Sequence, residues 1–469
     1  MNDKRVTELV CATDAGREGE LIFRLVYHNA GCTKPFKRLW ISSLEDAAIR
    51  EGFAHLRDSK EYDRLYEAAL ARSKADWIVG INGTRLFSTL YHRRLIVGRV
   101  QTPTLAMLVE RDGKIATFHK EKYFNVHVAQ DGFTADMEKI KTKDEANEIA
   151  AACSQKQAAV SSARRETKSA NPPKLYDLTT LQREANRYYG FTAQQTLELV
   201  QSLYEKKLLT YPRTDSQFLT EDMEGTARQV ISIVCRKLPL FIGLSHELDI
   251  QRVINNAKVT DHHAIIPTVQ LDTQDIGELP QSEQKILSLI GMRLLAATGK
   301  KHLYDETRIT VLCEGYEFKA KGKTVVQDGW KAIEMRFRAS LGSKEKDEPE
   351  QVLPDLREGT VLESVTSSVT EHFTSPPKAF TEDTLLSAME TAGNEDFDED
   401  TEKKGLGTPA TRAGIIEKLV NGGFVERKGK SLVSTKDGNN LVCILPEQIA
   451  SPSMTAQWEN TLTVSYTHL

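Results

Sequence analysis

The segment Leu209-Thr210-Tyr211-Pro212-Arg213-Thr214-Asp215-Ser216 sets a phenol, a proline and a guanidinium side by side. A residue before proline is pushed out of the helical region. The spacing therefore predicts an extended Tyr211 just after a helix, with Arg213 two positions on sharing its face. A free phenol titrates near about pH 10, so a nucleophilic tyrosine needs positive charge or a base beside it. Arg213 can grip a phosphate oxygen with two N–H groups while its charge favours the phenolate. A tyrosine at a helix end is also an ordinary core aromatic, and with 13 tyrosines in the chain the spacing alone does not choose.

Three further clusters carry chemistry. Thr13-Asp14-Ala15-Gly16-Arg17-Glu18-Gly19-Glu20 gathers carboxylates at a strand end and in the first turn of a helix. Oxygen donors so placed suit magnesium, which keeps several waters, and they equally suit the positive end of a helix dipole. Gly98-Arg99-Val100-Gln101-Thr102-Pro103-Thr104 offers a glycine, a guanidinium, an amide and hydroxyls of the kind that contact phosphate; it also reads as a turn entering a helix that begins near Pro103. In Asp261-His262-His263-Ala264-Ile265 the adjacent imidazoles do not suit one metal ion. A phosphate contact, a proton relay, a cap or a core role are all open to them.

The elements that must hold these clusters are legible in outline. Val6–Ala12 reads as a buried strand entering the acidic loop, and a helix follows to about Gly31. From Leu44 to Leu95 the apolar positions, among them Leu65, Ala69, Trp77 and Ile81, recur at helical spacing. Alternation through Phe124, Val126 and Val128 predicts strand, as do Arg308–Val326 and Thr360–Val369, and one discontinuous sheet can use these separated pieces. Two helices lead to Tyr211, the second opening on a Thr192/Gln195 capping box after Gly190. Lys344–Glu350 reads as a charged loop and Asn394–Lys404 as an acidic stretch without periodicity. Thr381–Ala392 and Pro409–Val420 give the tail a helical pattern.

Composition sets outer limits. A chain of 469 residues suits roughly two to four domains. Its 62 Lys and Arg against 66 Asp and Glu give a formal charge of -4, so any nucleic-acid surface must be a local patch. Six scattered cysteines fit reduced thiols better than a zinc ribbon, and no apolar run reaches the length of a membrane span. Neither a secretory signal nor a P-loop pattern is present.

Taken in order along the chain, these motifs resemble the type IA DNA topoisomerases, in particular their bacterial topoisomerase III-like members. The resemblance rests on Ala12-Thr13-Asp14 with Arg17-Glu18-Gly19-Glu20, Ala71-Arg72 with Asp76-Trp77, Gly80-Ile81-Asn82 and the Gly98 cluster. It continues through Asp177-Leu178-Thr179, Leu181-Gln182, Glu184-Ala185-Asn186, the Tyr211 and His262 segments, Gly405–Ala413, Met454-Thr455-Ala456 and Trp458-Glu459. It implies a multidomain α/β plus α fold of toroidal type IA architecture. The expected parts are a partial Toprim domain (1–60), a helical domain (61–118 and 374–469), a discontinuous β-rich arch (119–170 and 301–373) and a helical domain carrying the tyrosine (171–300). It implies that Tyr211 attacks single-stranded DNA to form a 5'-phosphotyrosine bond, and that strand passage and religation then relax negative supercoils or decatenate without ATP. Arg213 and Glu18 are implied as catalytic partners, with Asp14 and Glu18 holding Mg2+. Arg72, Asp76, Gly98, Arg99, Val100, Gln101, Thr102 and His262 are implied to contact DNA. A monomer acting on nucleoid or plasmid DNA in the cytoplasm, away from membranes, is the expected setting.

Two departures stand out. The middle position of the family's alternating acidic triad is Gly16 here, so weaker metal binding is expected, and Gly16→Asp is expected to add a third donor and tighten it. The family's upstream Toprim strand, with its glutamate and lysine, has no counterpart before Asp14, and the chain stops soon after Trp458-Glu459. It reads as truncated at both ends, binding single-stranded DNA yet relaxing negatively supercoiled DNA poorly or not at all. The alternative is a non-catalytic single-strand binding protein. A tyrosine recombinase is disfavoured because its His-x-x-Arg pattern is missing around His262.

Overall fold

The computed structural model describes residues 1–41, 46–130, 132–244, 248–259, 261–342, 352–393, 405–455, 457–458 and 461. The charged run at 344–350, the acidic stretch at 394–404, Ala456 and Glu459 lie outside the described residues.

The chain opens with β1 (Leu9–Cys11), α1 (Arg17–Asn29), β2 (Phe36–Arg38), α2 (Asp46–Ala54) and β3 (Arg57–Asp58). β1 is shorter than the Val6–Ala12 strand expected from sequence, because only Leu9–Cys11 meets a partner, the parallel β2, while the Val6 amide turns back to Asp3. The helical spacing after Leu44 does form α3 (Asp63–Leu90), which packs on α1. Its apolar residues divide: Ala68, Ala69 and Phe87 are buried, whereas Trp77 and Ile81 face outward. α4 (Gln101–Ala116) starts at Gln101 rather than near Pro103, which sits in the first turn, where the amide it lacks would have no intrahelical acceptor.

A barrel then forms. β4 (Lys122–Gln130) and β5 (Phe133–Ile140) make a hairpin, α5 (Lys143–Cys153) follows, and β6 (Lys156–Ala170) leads out. The chain leaves for α6 (Leu178–Tyr189), α7 (Ala193–Glu205), α8 (Glu224–Lys237) and α9 (Gln281–Ala297), then returns through β7 (His302–Cys313) and β8 (Tyr316–Gln327). After α10 (Lys331–Ser340), β9 (Val361–Phe373) closes the ring in the order β4-β5-β8-β7-β6-β9. Alternate residues point inward, so Phe124, Val126, Val128, Ile309, Val311, Phe318 and Val365 share a core with Ile149 and Cys153 of α5. Departure and return are side by side: Ala170 pairs with His302, and Lys122 pairs with Phe373. The helical unit between β6 and β7 has its own core, built on Leu178, Leu181, Val200, Val230 and Leu294.

The remaining elements are α11 (Glu382–Thr391), α12 (Pro409–Asn421), β10 (Val425–Lys428), β11 (Ser431–Ser434), α13 (Lys436–Ile444) and α14 (Glu447–Ala450). The β10–β11 hairpin interrupts a tail expected to be helical, and it packs with α4 and α12 around Leu105, Leu386, Ile416 and Leu432. Among the described residues, no helix is long and apolar enough to cross a membrane.

Candidate active site

The acidic loop is shaped from behind by a buried arginine. Arg38 is fully buried and donates to the carbonyls of Cys11 (3.0 Å), Thr13 (2.7 Å) and Leu39 (3.1 Å), and also to that of Asp14. Its charge is met by Glu20, also fully buried, at 3.1 Å, and Glu20 accepts from Arg24 at 2.8 Å. Glu20 is thus structural, unavailable to any ligand. A Cβ on Gly19 would lie 2.1 Å from the Asp14 carbonyl, so the loop folds over α1 only because residue 19 has no side chain. The side chains of Asp14 and Glu18 are left 56% and 61% exposed.

Tyr211 reaches this loop from a segment zipped to residues 262–268. The Thr210 amide donates to Ile266 (3.0 Å), the Ile266 amide to the Thr210 hydroxyl (3.0 Å), and the Thr214 hydroxyl to the His262 carbonyl (2.8 Å). Tyr211 does not sit at the very end of α7, as the sequence suggested. A turn with a left-handed Lys207 intervenes, because the chain must reverse to pair Leu209 with Pro267. The result is a convergence of distant residues. The Tyr211 hydroxyl donates to Asp14 Oδ2 at 3.0 Å, the His262 ring lies 4.2 Å from the Tyr211 ring, and His262 Nε2 is 3.9 Å from Asp14 Oδ1.

The electrostatics correct one expectation. Arg213 does pull the phenol's pKa down, but burial, the Asp14 charge and the Asp14 hydrogen bond outweigh it and push Tyr211 up to about 12. Without a cation on the carboxylates the phenol stays protonated and aimed at Asp14. Burial lowers the His262 pKa, with Asp14 opposing, so its ring is neutral at pH 7.

Oxygen-only donors at Asp14 and Glu18, both exposed, fit in kind an ion that binds through one or two carboxylates and keeps its waters. Among the described residues, no three His, Cys, Asp or Glu side chains already converge on one point. One carboxylate that the motif reading missed lies close by. A Cβ built on Gly16 would stand 2.2 Å from Asp261 Oδ2 and 2.6 Å from its Cγ, so a Gly16→Asp side chain has no room until Asp261 moves, contrary to the expected simple gain of a donor.

The model of the DNA topoisomerase family matches residues 60–464. The chain belongs to this family. It is 42% identical over 480 residues to DNA topoisomerase 3 of Bacillus subtilis (strain 168), covering 98% of this chain and 65% of that protein. It is 41% identical over 485 residues to DNA topoisomerase 3 of Bacillus licheniformis, again covering 98% and 65%. The full-length topoisomerase I of Thermotoga maritima aligns with a TM-score of 0.75 at 26% identity, over 97% of this chain and 73% of that one. The chain therefore has the expected type IA topoisomerase fold and is topoisomerase III-like, and it spans 65% of the length of these curated relatives.

Within this topoisomerase fold the other motif residues are placed differently from one another. Arg72 on α3 reaches Glu18 at 3.1 Å, and Arg17 approaches the same oxygen at 3.7 Å, so Glu18 faces guanidinium groups rather than Tyr211. Asp76 accepts from Arg99 at 2.6 Å and so holds that arginine within the chain. Arg99 is 6% exposed, with its carbonyl accepting from Thr455 at 2.8 Å. The hydroxyls of the cluster turn inward: the Gly98 amide donates to Thr102 Oγ1 at 3.0 Å, and Thr104 donates to the Val100 carbonyl at 2.8 Å. Within the chain a Cβ on Gly98 would make only ordinary contact, 3.5 Å from Gln101 Cβ. This cluster starts α4 and ties it to α3; Gln101 keeps a buried amide nitrogen without a hydrogen-bond partner among the described residues. His263, by contrast with His262, is a core residue whose Nδ1 is paired with the Ala264 carbonyl at 2.9 Å.

Proposed function

We propose that this chain carries the strand-cleaving centre of a type IA DNA topoisomerase, with Tyr211 as nucleophile. The observation that carries the reading is the 3.0 Å hydrogen bond from Tyr211 to Asp14, which joins residues 197 apart in sequence. Tyr211 Oη attacks a backbone phosphorus of single-stranded DNA; the P–Oη bond forms as the bond to the 3' oxygen breaks. Asp14 Oδ2 is positioned to accept the phenolic proton, and the departing 3' oxygen takes a proton from solvent water to become a free hydroxyl. Bond energy is kept in the 5'-phosphotyrosine, so the reverse attack reseals the strand without ATP. Arg213 stabilises the charge developing on the phosphoryl oxygens, and His262 buttresses the Tyr211 ring. Asp14 and Glu18 would hold Mg2+, whose charge offsets the carboxylates that keep the phenol protonated and orders the reacting strand.

The domain division at 1–60, 61–118, 119–170, 171–300, 301–373 and 374–469 follows the same reading, as do single-stranded segments of supercoiled or catenated DNA as substrate and a cytoplasmic monomer as the working form. Support for the division comes from the barrel built of two separated strand segments. The test is denaturant trapping of a protein–oligonucleotide adduct with magnesium. Tyr211→Phe is expected to abolish the adduct while single-strand affinity stays within about threefold. Undiminished adduct from the variant would remove Tyr211 from its role, and binding without any adduct from the unaltered chain would favour a non-catalytic single-strand binding protein.

A further inference from the structure

The hydroxyl of Tyr211 is tied to Asp14, but its ring is held from two other directions. His262 meets it at 4.2 Å between centroids, tilted by 41°. Tyr204 meets it at 5.5 Å and 81°, the near-perpendicular arrangement that the charge distribution of two aromatic rings favours. Tyr204 stands in the last turn of α7, and the reversal that brings Tyr211 back beside it is built on Tyr204 itself. Left-handed Lys207, at φ 62°, donates its amide to the Tyr204 carbonyl at 2.8 Å, and the Leu208 amide donates to Leu203 at 2.9 Å. On either side of Tyr204, one buried carboxylate of α9 clamps the helix end. Glu283 accepts from the Ser202 hydroxyl at 2.9 Å and from Lys206 Nζ at 2.6 and 2.7 Å. Val200 and Leu203 fix the inner face of α7 in the core. Tyr204, partly buried, therefore projects towards Tyr211 from a rigid support.

We propose that Tyr204 is a positioning residue for the nucleophile, holding the Tyr211 ring in its attacking orientation as the phenolic proton passes to Asp14. The inference rests on the reading of Tyr211 as the strand-cleaving residue. The backbone at Tyr211 is fixed by its pairing with residues 262–268, yet the side chain keeps rotatable torsions of its own. The hydroxyl's bond to Asp14 is given up when the proton is transferred, and ring contacts then keep Oη near the phosphorus. Attack needs the reacting atoms about 3 to 3.5 Å apart and aligned, and a misplacement of about 1 Å can cost a hundredfold in rate. The competing roles for Tyr204 are a platform on which a DNA base stacks, and packing alone.

The rate of adduct formation at saturating single-stranded oligonucleotide, in the 469-residue chain with magnesium, separates these roles. Tyr204→Ala is expected to slow it about tenfold to a hundredfold while oligonucleotide affinity stays within about threefold. Tyr204→Phe keeps the ring and is expected to restore the rate to within about threefold of the unaltered chain. A second readout needs no DNA. Burial is the largest effect raising the Tyr211 phenol to about 12, so loss of the neighbouring ring in Tyr204→Ala is expected to let the phenol titrate at lower pH. Ultraviolet difference titration against the same variant carrying Tyr211→Phe measures this, with Tyr204→Phe expected to match the unaltered chain. A rate that falls while the phenol ionises more easily marks lost alignment rather than lost acidity. An unchanged adduct rate in Tyr204→Ala, or failure of Tyr204→Phe to restore it, would overturn the proposal. So would an affinity loss of about tenfold with an unchanged rate at saturation, which marks a base platform. A fall in thermal stability without any shift of the phenol would mark packing alone. If the unaltered chain forms no adduct, the strand-cleaving reading fails by itself, and the phenol titration still decides whether Tyr204 holds the ring.

Discussion

At the scale of single residues, the site is a tyrosine held in its unreactive form by its own neighbours. Burial and Asp14 together raise the Tyr211 phenol to about 12, and Arg213 only partly offsets them. Replacing Asp14 by Asn removes a negative charge, so the phenol is expected to titrate at lower pH than in the unaltered chain; Arg213→Ala is expected to move it higher. Ultraviolet difference titration of each variant against the same variant carrying Tyr211→Phe isolates this one phenol among the 13 tyrosines. An unchanged titration in Asp14→Asn would contradict the electrostatic account. Arg213→Ala is also expected to slow adduct formation about a hundredfold or more, as loss of a charge-stabilising donor does; a rate within about threefold would deny Arg213 that role. Tyr211, Arg213 and Asp14 were legible in the sequence because each motif is local. Asp261 was not, since its meaning lies in a contact with Gly16 that no spacing records. The ion pair between Asp76 and Arg99 was not read for a related reason: residues 23 apart that meet in space leave no mark in the spacing of either motif.

Among the elements, the acidic loop depends on Arg38 at the end of β2. Arg38→Met takes away its bonds to four carbonyls, two of them in the loop, and leaves Glu20, fully buried, with Arg24 as an ion-pair partner. The expected loss is about 3 kcal/mol, at the low end for breaking a buried ion pair, with Mn2+ affinity falling alongside. Urea unfolding within about 0.5 kcal/mol of the unaltered chain would show that the loop stands without it. Asp177, the N-cap of α6, gives a pH signature. Burial raises its pKa from 3.8 to about 6, against the pull of its bond from the Thr180 amide. Being raised, it adds stability that is fully present below about pH 4 and is lost as pH rises through about 6. Asp177→Asn keeps the cap and is expected to lack that decline, so the stability gap between chain and variant should change by up to about 3 kcal/mol between pH 4 and 7. A constant gap would contradict it. The elements that carry the motifs, α1, α3, α6 and α7 among them, were readable from periodicity, whereas β6, α8 and α9 were not read. The closing of six strands into one ring was not, because closure is decided by which edges meet, β4 with β9 and β5 with β8. The β10–β11 hairpin was missed since its two strands are only four residues each, too short to show a period among helices.

For the whole molecule, a formal charge of -4 offers nucleic acid no general attraction. Any binding must come from local cations such as Arg213 and should weaken steeply with salt, which a titration of single-strand affinity against salt concentration checks. Barrel and helical unit are joined by adjacent strands, Ala170 beside His302, so the tyrosine-bearing unit hangs from the barrel on two neighbouring connections. The acidic loop lies near the start of the chain and Tyr211 and His262 near its middle, so the site consists of the contact between these two segments. The central claim is that the bond made at this site is a 5'-phosphotyrosine on Tyr211. It is tested most directly by trapping the adduct with a single-stranded oligonucleotide labelled in separate experiments at its 5' or 3' end. The 3' label should migrate with the protein and the 5' label should be released on a fragment ending in a free 3'-hydroxyl, with both signals absent in Tyr211→Phe. A 5' label attached to the protein, or an adduct that survives in Tyr211→Phe, would contradict it.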